Sequence, residues 1–237
     1  MFRIFRRIRA ELMAGKHFHR YLLYAFGEIL LVVVGILIAL QIDNWNEERK
    51  EHRRETAILQ KLHREFQANL ADFNAIYELN QQKLRALDTV IHYMNNTHLP
   101  QAYDRIDENF WMAAFGKFYN PKRGTVESLI NSGSIDLIQN DTLRDYLTSW
   151  PYVLEDYKEE EEFEQFWVYR IPKYAAEHGD FSANIGGVFD DLIKETEFRN
   201  IFAMRRNSLA QTVSAAESEG VFEHLREIVR LTEVPVE

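Results

Sequence analysis

The chain has 237 residues, with 28 Lys and Arg against 37 Asp and Glu for a net charge of −9, and no cysteine. That length admits one or two domains, the missing cysteines exclude disulfides and a lipoprotein attachment site, and the acidic balance argues against nucleic acid as a partner.

The charges are unevenly placed. Residues 1–20 carry Arg3, Arg6, Arg7, Arg9, Lys16 and Arg20 against Glu11, a local charge of +5, and the remaining 22 basic and 36 acidic residues give −14. Within MFRIFRRIRAEL, Phe2, Phe5, Ile8 and Leu12 follow 3-3-4 spacing with the arginines largely on the other side. This pattern predicts a basic amphipathic helix lying on an anionic membrane surface, with a disordered basic tail as the alternative.

From Tyr21 to Ile42 the only formal charge is Glu28. As a helix these residues span about 33 Å, enough for a hydrocarbon core of about 30 Å. The run is longer than the apolar part of a cleavable signal peptide and no A-x-A-like site follows it, so an uncleaved signal anchor is the expectation. Basic residues before the span place the N-terminus in the cytoplasm and the C-terminal part in the periplasm of a Gram-negative cell. Arg20, Tyr21 and Trp45 are the expected interfacial anchors.

Glu28 lies about 10 Å down the helix from Tyr21, inside the hydrocarbon but short of its middle. A carboxylate there is costly unless it takes a proton, snorkels or faces protein. Gly27, Leu31, Gly35 and Ala39 form one stripe, and GILIA is a small-xxx-small step that permits close helix contact. Three roles stay open for Glu28: a bond across a homo-oligomer or to Arg20, a proton- or ion-linked group in a membrane complex, or a contact to a basic residue of another membrane protein.

After Ile42 there is almost no strand signal. Between Glu47 and Asn95 there is neither Gly nor Pro, and Leu62, Phe66, Leu70, Phe73, Tyr77, Asn80, Leu84, Leu87, Ile91 and Met94 step by three or four. This seam predicts one helix continuing from the membrane span as a stalk and ending at Pro100. Its aromatic positions favour a bundle over a two-stranded coiled coil. A short helix is predicted over 104–116, ending at Gly116. Thr125 is the predicted N-cap of VESLINS, Gly133 its stop, and Ser134 the start of another helical turn. Asn140 or Asp141 caps a helix through about Ala176, with Leu143, Leu147, Trp150, Leu154 and Tyr157 inward and a bend at Pro151. Gly179 to Gly187 reads as a loop. A last helix from Thr196 to Leu231 is predicted to bury Phe198, Phe202, Leu209, Val213, Leu225 and Ile228. The fold class is all-α: an amphipathic segment (1–20), a transmembrane helix (21–42), a stalk and first bundle helix (43–100), and the rest of an antiparallel extracytoplasmic helical bundle (101–237).

Chemistry-bearing patterns are few. The eight histidines form no metal-ligand spacing, so no metal and no cofactor are expected. Between Glu155 and Glu164 stand seven acidic residues with Lys158 the only basic one. They read as a solvated helix face, with a basic partner as the alternative. The aromatics around Phe110–Tyr119 and Phe163–Tyr169 read as core, with a lined pocket as the alternative. No nucleophile elbow, P-loop or dinucleotide fingerprint is present, so an enzyme is not the expectation.

YLLYAFGEILLVVVGILIALQIDNWNEERK, and less closely GTVESLINSGSIDLIQNDTLRDYL, resemble an uncharacterised family of single-span Bacteroidota membrane proteins with a domain of unknown function. The resemblance implies a Gram-negative inner-membrane setting and includes Glu28, but implies no activity. The expected partners are the lipid bilayer, a second copy of the chain in a homo-oligomer, and other membrane proteins. The expected role is interaction, scaffolding or sensing outside the membrane. An ion- or proton-coupled subunit using Glu28 is the second reading, and a tethered enzyme the third.

Overall fold

The computed structural model describes residues 18–179 and 190–233. The amphipathic reading of residues 1–12 and most of the Gly179–Gly187 loop lie outside them. Contacts divide the chain into two units, Met1–Arg54 and Glu55–Glu237. Among the described residues there is no strand.

Helix α1 (Phe18–Asn95) is one unbroken helix of 78 residues. The absence of Gly and Pro after Glu47 is why nothing interrupts it. It stops at Asn95, earlier than Pro100, because a turn at 96–101 ends in Gln101 with φ of 61°. Helix α2 (Ala102–Ala114) starts and ends two residues before the predicted bounds, and Phe115 is already extended. A segment without helix follows, then α3 (Gly124–Asn131), a 3₁₀ turn (Ser134–Leu137) and α4 (Asp141–His178).

The start of α3 corrects the sequence reading. Thr125 lies inside the first turn and is not its cap. Its N–H and hydroxyl both donate to the Glu65 carboxylate of α1, at 3.0 and 2.7 Å. A tertiary partner thus satisfies the orphan donor that a local cap would have taken. Gly133 does take the left-handed stop, with φ of 68°. Asn140 caps α4 by accepting the Leu143 N–H at 3.0 Å. Leu143, Leu147, Trp150, Leu154 and Tyr157 are all buried, and α4 continues through both Pro151 and Pro172.

The predicted last helix is two helices, α5 (Thr196–Ser218) and α6 (Val221–Leu231). Gly220 with φ of 74° separates them; a left-handed residue stops a helix, and glycine adopts it without strain. Phe198, Phe202, Leu209, Leu225 and Ile228 are buried as expected, and Val213 is half-buried.

Within the second unit the apolar core forms two clusters. One holds Leu62, Phe66 and Phe73 of α1, Trp150 and Tyr157 of α4, and Phe222 and Leu225 of α6. The other holds Leu87 and Val90 of α1, Ile106 and Phe110 of α2, Ile171 of α4, and Phe198 and Phe202 of α5. Helices α1 and α4 pass from the first cluster to the second, whereas α5 passes from the second to the first, so α5 packs antiparallel on α4. Edge-on aromatic pairs such as Phe73–Tyr157 at 5.3 Å fill the first cluster.

Apolar segment of α1 and the buried polar layer as candidate functional sites

From Leu22 to Ile42 the large apolar side chains of α1 are exposed on every face. An ordinary amphipathic helix hides one stripe, and this one hides none. Leaving a single Leu or Ile in water costs roughly 1.5–3 kcal/mol relative to burial. By length and composition it is the one segment among the described residues able to cross a membrane.

The residues singled out from the sequence lie along this segment. Gly27, Glu28, Leu31, Gly35 and Ala39 are all exposed. A Cβ added to Gly27 or Gly35 would meet no atom within 4 Å. Trp45 is exposed just beyond the segment. The side chains of Arg20 and Tyr21 lie outside those described. Among the described residues no hydrogen bond or ion pair involves Glu28.

The second unit brings together a different set, which the sequence reading missed apart from Asn80 on the predicted seam. Asn80 and Lys83 of α1, Glu161 and Glu164 of α4, and Arg205, Ser208 and Thr212 of α5 are all buried. On α1 and α4 they fall between residues of the two apolar clusters, and on α5 they alternate with Leu209 of the second cluster, so a polar layer crosses the core. Arg205 is 0% exposed. Its Nε and Nη2 both donate to Glu164 Oε1 at 3.3 Å, and Nη2 also donates to the Phe115 carbonyl at 2.8 Å. Glu161 accepts the Tyr119 N–H at 2.7 Å and the Lys158 ammonium at 2.7 Å. Lys83 donates to Asn80 Oδ1 at 3.3 Å, and among the described residues no carboxylate forms an ion pair with it.

Burial dominates the protonation of this layer. It pushes Lys83 down to about 8, against the pull of the Glu164 and Glu161 charges, with Arg205 and Lys117 repelling its charge further. It raises the Glu161 and Glu164 carboxyls although Lys158, Arg205 and Lys83 pull the other way. Arg205 is lowered by the same desolvation, and stays charged because its ordinary value is so high. The Nη1 of Arg205 and the Oγ of Ser208 are buried without a partner among the described residues. Such a layer adds little net stability, since desolvation offsets the attraction, but it penalises any register in which a charge loses its partner.

Three readings are corrected here. The run Glu155–Glu164 is not uniformly solvated: Glu161 and Glu164 point into the core. The seam of α1 is also shifted. Phe66, Phe73, Asn80, Leu87 and Met94 are buried as read, but the second column is Asn69, Ile76, Lys83 and Val90, while Leu70, Tyr77, Leu84 and Ile91 are half-buried. Apolar side chains drew the reading one residue too far, where the structure buries an amide and an ammonium. The heptad step of that column held the signal. The aromatic reading also changes, since Trp111, Phe115, Phe163, Phe166 and Tyr169 are exposed.

Asn69 has a second task. Its Nδ2 donates to the Lys122 carbonyl at 2.7 Å and its Oδ1 accepts the Lys122 N–H at 2.8 Å. The Tyr119 hydroxyl donates to the Asn69 carbonyl at 3.3 Å, and Lys158 donates to the Tyr119 carbonyl. The stretch Tyr119–Thr125 is therefore held by α1 and α4 through its own backbone. Gly116 before it is closely approached by side chains: a Cβ there would lie 2.7 Å from Phe118 Cζ and 3.0 Å from Val168 Cγ2, so a larger residue would have to displace the Phe118 ring.

A family of unknown function, DUF6090, matches residues 28–202, from the apolar segment of α1 through to α5. The chain belongs to this family. In this DUF6090 protein the match takes in Glu28, Lys83, Glu161 and Glu164, and stops three residues before Arg205. No curated protein and no solved structure matches the chain. Among the described residues no group of three or more His, Asp or Glu side chains is placed to hold a metal ion.

Proposed function

We propose that this DUF6090 protein is a single-span inner-membrane protein, N-terminus in the cytoplasm, that assembles through its span and presents a helical interaction or sensing domain to the periplasm. The apolar segment of α1, exposed on all sides, is the observation that carries this reading. The basic residues before it support the orientation, and the stripe of Gly27, Leu31, Gly35 and Ala39 supports contact between spans. The domain's role is non-catalytic in this reading. Its buried charged groups Lys83, Glu161, Glu164 and Arg205 are exposed to 4% or less, which suits a structural layer better than a reaction centre.

The test is the full chain expressed in a Gram-negative host, washed with alkaline carbonate and then sized in nanodiscs. Retention in the membrane with a native mass above that of one chain is expected. Release by the wash overturns the anchor, and a monomer overturns the assembly. A second reading, an ion- or proton-coupled subunit, is favoured by Glu28, which stands exposed on the apolar segment. It requires that Glu28→Gln abolish function while insertion and assembly persist, and a fully functional variant ends it.

A further inference from the structure

The second unit carries a cleft of ≈ 500 Å³ between the stretch leading into α3 and the middle of α4. Sites for small molecules commonly enclose about 300–1,000 Å³ and combine apolar walls with a few polar groups. Here the apolar part of the lining is Pro121, Val126, Trp150 and Leu154, all buried. Charged residues of both signs line the rest: Arg123 and Glu127 on one side, and Glu155, Lys158 and Glu162 of α4 on the other. Helix α4 also holds the opposite wall in place. Its Glu161 accepts the Tyr119 N–H at 2.7 Å and its Lys158 donates to the Tyr119 carbonyl, while Asn69 of α1 holds both backbone groups of Lys122. The fold thus sets the width of the cleft before anything enters it, which lowers the cost of binding.

The charges of the lining are unequally committed. Lys158 is neutralised by the buried Glu161, at 2.7 Å. Among the described residues the Arg123 guanidinium meets only Glu127, at 3.5 Å and with both side chains more than half exposed. Such a pair is weak and gives way readily to a better acceptor. Glu155 and Glu162 are exposed and form no ion pair among the described residues. The cleft therefore offers two uncompensated carboxylates on the α4 side, a weakly held guanidinium on the other, and an apolar surface. A ligand that answers all three carries an ammonium, a carboxylate and an apolar group. We propose that this cleft binds a zwitterion of the α-amino acid class, free or as a short peptide. Its ammonium sits on Glu155 and Glu162, its carboxylate on Arg123, and its apolar side chain on Pro121, Val126 and Leu154. The site rests on the sensing role proposed above and gives that role a class of ligand.

The test is calorimetric titration of the full chain in nanodiscs with three probes: L-phenylalanine, N-acetyl-L-phenylalanine, which has no ammonium, and L-phenylalaninamide, which has no carboxylate. The amino acid should bind, and each blocked form about tenfold more weakly. Glu155→Gln combined with Glu162→Gln should bring the amino acid down to the level of the N-acetyl form and leave that form unchanged. Arg123→Gln should do the same with respect to the amide. All three positions are exposed, so circular dichroism of the variants should match that of the parent chain. The dipeptide phenylalanyl-phenylalanine separates the two sources: tighter binding than the amino acid marks a peptide ligand, and weaker binding a free amino acid. The site is overturned if neither binds up to about 10 mM, if the blocked forms bind as well as the amino acid, or if the variants weaken every probe alike. If the chain then still resists the carbonate wash with a native mass above one chain, the anchor and the assembly stand and only this site falls. Matched losses in a chain that the wash releases keep the site and remove the anchor.

Discussion

Glu28 and Glu164 are the same chemical group in two regions that treat it in opposite ways. Around Glu164 the chain supplies an answer: Arg205 from α5 donates two hydrogen bonds, and the whole pair is enclosed. Around Glu28 the apolar side chains of α1 face outward and no described side chain pairs with the carboxylate. One region therefore solves its charge problem internally, through tertiary contacts. The other leaves it to whatever surrounds the helix, lipid or a second protein. The difference also marks which variants should unfold the domain and which should alter only its surroundings.

The sharpest way to break the comparison is Arg205→Met. It strips the buried Glu164 of its partner, and stability should fall by about 3–5 kcal/mol, read by chemical denaturation. Adding Glu164→Leu should recover much of that loss, because two apolar groups replace a broken pair. If the double variant is no better than the single one, the pair is not the unit described here.

Lys83 gives a pH test of the same layer. Its folded value of about 8 lies below the ordinary 10.5. Between these values the unfolded chain holds a proton that the folded chain has lost, so stability rises with pH through that window. The destabilisation is fully present below pH 8 and amounts to about 3 kcal/mol. Lys83→Met should abolish this rise. An unchanged slope in the variant assigns the effect elsewhere.

Asn69→Ala should cost less, about 1–3 kcal/mol, since it leaves the Lys122 N–H and carbonyl without their partner. Faster amide exchange confined to residues 119–125 is the expected signature; uniform loss of protection would mean that the clamp is not local. The smallest effect belongs to Glu28→Gln. Thermal unfolding of the helical domain should shift by less than about 0.5 kcal/mol, because no described contact of that domain involves it. A larger shift would show the two regions to be energetically coupled.

Periodicity and capping chemistry were enough to read much of this protein. The apolar run 21–42, the unbroken helix through Asn95, the Asn140 cap and the inward face of α4 are local in origin, so spacing and residue type report them. The break at Gly220 was legible in principle, as a glycine in an otherwise helical pattern, but the predicted helix ran through it. Glu65 at the start of α3 was not legible, since its partner lies 60 residues away. The same holds for the polar layer. Lys83, Glu161, Glu164 and Arg205 each look like surface residues on their own helices, because burying a charge is costly in isolation. Only the packing of three helices brings the charges close enough to offset that cost, and no single stretch of sequence contains the information. Local patterning thus determined where the helices run and which segment resembles a membrane span. Tertiary structure decided which charges go inside and which loop is held rigid, because those choices depend on partners that meet only after the chain has folded.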